Sequence, residues 1–161
     1  MKTLILLLLF SHSLSAQSIW KELIRDKSFW LGNACAFTGG MADGLNETIV
    51  WHYPRFKAVF PNANDQYWDA HKSWKNKYEN PHFGKTTFLI WTTDGYHMTR
   101  TVDNVFTITL MPMFSTSTVG MFDPNLTGKA RWRQVKKSLI EGIAHYTFRQ
   151  IGFALIYDGV F

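Results

Sequence analysis

Residues 29–53 read FWLGNACAFTGGMADGLNETIVWHY, a stretch without proline in which Gly32, Ala36, Gly40 and Gly44 recur every fourth position. A spacing of four returns to the same side of an α-helix, so these four residues form one smooth stripe. Such a stripe lets a second helix approach closely, as small residues do in helix bundles. Each interior glycine costs about 1 kcal/mol of helix propensity, so the pattern is stable only if close packing offsets it. Pro54 closes the segment. A loop at Thr38-Gly39-Gly40 is the alternative reading.

Working outward, residues 19–27 (IWKELIRDK) suit a short amphipathic helix lying on another element. Residues 54–85 form a long, polar and aromatic connection punctuated by Pro54, Pro61 and Pro81. A connection of that length is expected to hold short helices of its own. Residues 86–114 leave two readings open: their Thr, Val and Ile content favours strand, and their length without alternation favours helix. Residues 131–151 read as a helix with basic residues first and an apolar stripe through Val135, Leu139, Ile143, Tyr146 and Gln150. Residues 153–161 suit a final turn or an edge strand. The fold expected is mainly α, a single-domain helical bundle over residues 17–161 with a long aromatic-rich connection and an association with membranes.

The chain has 161 residues, 46% apolar, 18% charged and 16% aromatic, with a formal charge of +5. That length suits one domain, and the apolar share excludes wholesale disorder. One cysteine, Cys35, excludes a disulfide scaffold and a four-cysteine zinc module. Met1-Lys2-Thr3, the apolar run Leu4–Phe10 and the small or polar residues through Ala16 have the layout of a secretory signal peptide. Residues 1–16 are therefore expected to be removed, leaving 145 residues with a charge of +4 because Lys2 is lost. The mature chain is expected to be exported: periplasmic, envelope-associated or secreted.

Two uncharged stretches bear on the membrane. Residues 104–122 carry no charge over 19 positions and residues 29–42 none over 14, lengths that reach or approach a membrane span. Polar residues and Pro112 dilute them, and mean hydropathy is only −0.13. A soluble or peripherally attached protein is the better expectation. The run Lys129, Arg131, Arg133, Lys136, Lys137 has no acid within it. It suits anionic lipid head groups, and export argues against nucleic acid as a partner. A solvated helix face is the simpler explanation. The charge nevertheless opens its helix, where the macrodipole disfavours cations.

Acids and histidines recur on three expected helices. Asp43 and Glu47 (with Asn46), Asp94 and His97, and Glu141 and His145 are spaced three or four apart among apolar neighbours. Charges in apolar surroundings are paired, protonated or metal-bound. Convergence of the three faces would gather four carboxylates and two imidazoles, a donor set suited to Mn, Fe or Zn. The ligand count is similar to the di-metal site of ferritin-like four-helix proteins. It departs from that pattern in Asp94 and in the Glu141–His145 spacing, so the family is not assigned. The structural alternative makes Asp94 an N-cap, Asp43 or Glu47 a cap or ion-pair partner, and Glu141–His145 a surface pair, with Arg100 and Arg149 available as counter-charges. Tyr67, Trp68, Trp74 and Tyr78 resemble an aromatic platform for sugar rings or lipid head groups. Aromatic anchoring of a loop is the commoner use of such residues. The calcium-loop reading of Asn62, Asn64, Asp65 and Asp69 lacks its glycine and terminal glutamate.

Two functions follow as expectations. One is an exported, membrane-associated cell-envelope protein acting by binding or structure, with a membrane surface or envelope component as partner. The other is a metal-dependent hydrolase or oxidase-like enzyme using the six acids and histidines.

Overall fold

Asp26 opens the helix that carries the small-residue stripe by accepting a hydrogen bond from the backbone N–H of Ser28, at 2.8 Å. This is a helix N-cap. A computed structural model describes residues 14–79, 88–115, 120 and 122–161. Residues 1–13, which hold the charged start and apolar run of the expected leader, lie outside the described residues. The described part is mainly helical and contains no strand. The elements are α1 (Leu14–Leu23), α2 (Lys27–Trp51), α3 (Tyr53–Val59), α4 (Asp65–Trp68), α5 (Ala70–Ser73) and α6 (Asn76–Glu79). A 3-10 turn (Phe88–Thr92), α7 (Gly95–Asn104), a π-helical turn (Val105–Leu110), α8 (Met111–Phe114) and α9 (Gly128–Tyr157) follow.

Helix α2 is the centre of the bundle. The stripe does what its spacing predicts. A Cβ at Gly40 would fall on the carbonyl of Arg149, and one at Gly44 would come within 2.7 Å of the carbonyl of Phe153. Gly152 of α9 answers from the other side, against the carbonyl of Phe37. Ala36, between the glycines, is fully buried. No loop interrupts Thr38-Gly39-Gly40. Thr38 and Thr48 instead donate their hydroxyls back to the carbonyls of Ala34 and Gly44, which satisfies them within the helix.

The other face of α2 receives α7, the π turn and α8. Gly39 is the contact point, where a Cβ would meet the Thr107 hydroxyl. The ambiguous segment is therefore helical from Gly95 on, and its widened turn has a local cause. Pro112 lacks an N–H and its ring crowds the carbonyl four residues back, so the turn before it opens to π geometry. Helix α1 packs through Ile19 and Leu23 onto Phe29 and Ala144, as an amphipathic helix should. Pro54 does more than close α2: it sits in the first turn of α3, where a missing N–H costs nothing.

Helix α9 corrects one expectation. It runs for 30 residues, and its buried side is Glu141, Ala144, His145 and Gly152. The apolar stripe read from the sequence is largely on the outside, with Leu139 57% and Tyr146 58% exposed. The buried side is set by what α2 offers: Gly32 makes room for the His145 ring, and Gly152 lets the backbone of Phe37 approach. The terminal residues end in a turn, not an edge strand. No helix among the described residues is long and apolar enough to cross a membrane.

Candidate functional site

The six residues that would have formed one metal centre are placed in separate settings. Asp43 on α2 accepts a 2.9 Å charge-assisted bond from Arg149 on α9. Asp103 on α7 approaches the same guanidinium at 3.4 Å and also accepts from the Thr107 hydroxyl at 2.8 Å. One arginine thus ties three helices. Asn46, next to Asp43 on the same face, donates to the Thr99 hydroxyl and the Tyr96 carbonyl. Glu47 is half-buried.

Asp94 is fully buried and caps α7, accepting from the backbone N–H of His97 at 2.8 Å while its second oxygen lies 2.7 Å from Nδ1 of the His97 ring. Of the two readings of this spacing, ligand pair and N-cap, the geometry is that of the cap, with the His97 ring beside the carboxylate. Glu141 and His145 are not a surface pair, since both are buried in the α2–α9 contact. The Ser115 hydroxyl donates to Glu141 at 3.0 Å. His145 stacks on Phe29 with centroids 6.4 Å apart, and its Nε2 faces Gly32 without a hydrogen-bond partner. Burial holds its imidazole below the ordinary histidine range. Among the described residues no three histidines, cysteines or carboxylates are grouped so as to hold a metal ion. The shared centre is not formed because the three acid-bearing faces each turn to a different partner.

A groove of about 370 Å³ between α8 and α9 is lined by Thr107, Met111, Ser115, His145, Tyr146 and Arg149. In it the Ser115 hydroxyl donates to Glu141, and His145 Nε2 has no hydrogen-bond partner among the described residues.

The four aromatic residues of the long connection are split. Trp68 lies flat against Gly95, where a Cβ would come within 2.5 Å of its ring, and Tyr67 reaches the Met98 sulfur at 3.5 Å. These two anchor the connection to α7. Trp74 and Tyr78 are half-exposed and meet edge to face at 6.0 Å. The nearby oxygens are also structural: Asn64 caps α4 and Asp69 caps α5. Asp65 accepts from Lys57, from the Tyr53 hydroxyl and from Lys72. The Lys57 bond, with that of Tyr53, holds the Asp65 carboxyl down at about 2. Burial, reinforced by Asp65, pushes the Tyr53 phenol well above its usual range.

The basic run divides as well. Arg133 and Lys137 both bond Glu22 of α1 at 2.8 Å, and these bonds, Lys137 first, hold the Glu22 carboxyl below its usual range. Lys129, Arg131 and Lys136 are exposed and bond no acid among the described residues. Lys129, Trp132, Lys136 and Leu139 are spaced i, i+3, i+7, i+10, which puts them on one face of α9. Trp132 on that face is 68% exposed, and Phe122 just upstream is 75% exposed. Neither aromatic was singled out from the sequence, although Trp132 lies inside the basic run. Comparison with known protein families, with curated proteins and with solved structures finds no match.

Proposed function

We propose that this protein is an exported envelope protein that binds the surface of an anionic membrane through the outer face of the first turns of α9. The observation that carries the reading is Trp132, exposed among Lys129, Arg131 and Lys136, which bond no acid among the described residues. An interfacial helix combines these features: an amphipathic aromatic ring at head-group depth and basic residues beside it. Cations at a helix N-terminus oppose the macrodipole, so an external anion would relieve a local cost. Ile19 and Leu23, through which α1 packs on Phe29 and Ala144, lie beyond the expected cut after residue 16.

The test is co-sedimentation of the purified mature chain with vesicles of neutral phosphatidylcholine, alone or with 30% phosphatidylglycerol. Binding should require the anionic lipid and weaken with salt. Replacing Lys129, Arg131 and Lys136 together by glutamine should remove about 3 kcal/mol, at about 1 kcal/mol per cation, which is on the order of a hundredfold in affinity. Equal partitioning onto neutral vesicles, or an unchanged triple variant, would sink the proposal.

A further inference from the structure

Some 24 residues along α9 from Trp132, roughly 36 Å at the helical rise, the rings of Phe56, Phe60, Trp68 and Phe161 line, with Leu45 and Ile156, an apolar pocket of about 520 Å³ that is open to solvent on one side. We propose that this pocket is a binding site for a small, uncharged, apolar molecule, aromatic or alicyclic in body. Volume is the first argument, since sites for small organic ligands run from about 300 to 1,000 Å³.

The second argument is that the walls are built and held. Phe56 is buried and stands at the junction, 5.2 Å from the Phe60 ring, 5.3 Å from Trp68 and 5.7 Å from Phe161. Trp68 is fixed by its seat on Gly95. The turn after α9 is held in place by Arg55, whose guanidinium donates to the carbonyls of Phe161 at 3.0 Å and Tyr157 at 3.4 Å. Tilted rings 5 to 6 Å apart present edges and faces to a guest, the geometry in which aromatic contacts add to area burial.

Charge decides the class of ligand. Of the lining side chains only Asn62 and the indole N–H of Trp68 carry polar groups, and none is charged. The two cations that bond the backbone around the pocket are already committed: Arg55 to the two carbonyls, and Lys57 to Asp65 and the Ala63 carbonyl, both at 2.6 Å. A carboxylate or phosphate seated against these rings would lose part of its water and gain no unshared cation, which is costly. A neutral guest pays nothing of that kind.

The probe is N-phenyl-1-naphthylamine, which is neutral and fluoresces in apolar surroundings, set against the anionic 8-anilino-1-naphthalenesulfonate. Saturable binding of one neutral probe per chain, at least tenfold tighter than the anionic one, is expected. Val59→Trp and Ala63→Phe, each projecting bulk into the pocket, should weaken it at least tenfold, whereas Trp132→Ser should leave it unchanged. Independently of any variant, a neutral aryl diazirine should photolabel the wild-type chain in residues 56–68 or 156–161. Signal that does not saturate, equal binding of the anionic probe, filled variants that fold and still bind, or label confined elsewhere would each overturn the proposal. A filled variant that does not fold leaves the decision to the wild-type labelling.

Discussion

Gly40 of α2 lies so close to Arg149 of α9 that a Cβ at position 40 would occupy the carbonyl of the arginine. The two helices are in backbone contact there, and the guanidinium of the same Arg149 reaches past the contact to Asp43 one turn away. Close approach and ion pairing are therefore parts of one junction.

Gly40→Ala and Gly152→Ala should each force α2 and α9 apart, at a cost of about 3 kcal/mol or more. Gly142 lies on the outer side of α9 with nothing within 4 Å of its would-be Cβ. Gly142→Ala should stabilise by up to about 1 kcal/mol through helix propensity alone. Urea denaturation of the three variants checks the opposite signs; equal effects would refute the packing account.

Arg149→Met should leave Asp43 and Asp103 facing each other without their counter-charge. Because these side chains are 19 to 28% exposed, solvent softens the loss to about 1 to 2 kcal/mol. Adding Asp103→Asn to that variant should recover part of it, and a double-mutant cycle measures the coupling. Strict additivity would show that Arg149 and Asp103 do not interact.

Asp94→Ala should cost about 1 to 2 kcal/mol, since it removes the cap of α7. Asn at the same position accepts the same backbone bond and should cost less. Equilibrium unfolding ranks the two, and an equal loss would argue that the carboxylate charge beside His97, rather than capping, is what Asp94 supplies.

Protonation of His145 provides a pH-dependent prediction. Burial lowers its folded-state pKa below the ordinary value of 6.5, so the unfolded chain takes up this proton at higher pH than the folded one. The stability that the neutral ring permits is complete above about 6.5 and is lost as pH falls from there toward the folded value. Melting temperatures from pH 7.5 to 5.5 should decline more steeply for the wild type than for His145→Gln. Parallel profiles would exclude His145 as the cause.

The helix at residues 29–53 and its stripe were legible because both are local: a spacing of four on one chain segment identifies a face. Asp94 as a possible cap could be read from Thr93 and Gly95 for the same reason. The burial of Glu141 and His145 could not be read. His145 is buried opposite Gly32, which stands 113 positions before it in the chain, and Glu141 is met by Ser115, 26 positions away. Asp103 was missed altogether, because its partner Arg149 is 46 residues away and nothing around it forms a pattern.

By itself, the sequence determined that this chain builds helices, that one of them carries a smooth side for close packing, and that its connection is aromatic-rich. Those properties follow from propensity and periodicity, which act within a few residues. Only the tertiary structure decided how the acids and histidines are used. Asp43 went to an arginine, Asp94 to a helix end and Glu141 to a serine hydroxyl, so no common centre formed. The same packing turned Trp132 outward beside Lys129, Arg131 and Lys136 and set four rings along an apolar pocket. Which groups meet depends on how distant helices pack, and the energy of close backbone contact outweighed the apolar stripe that α9 displays in its sequence.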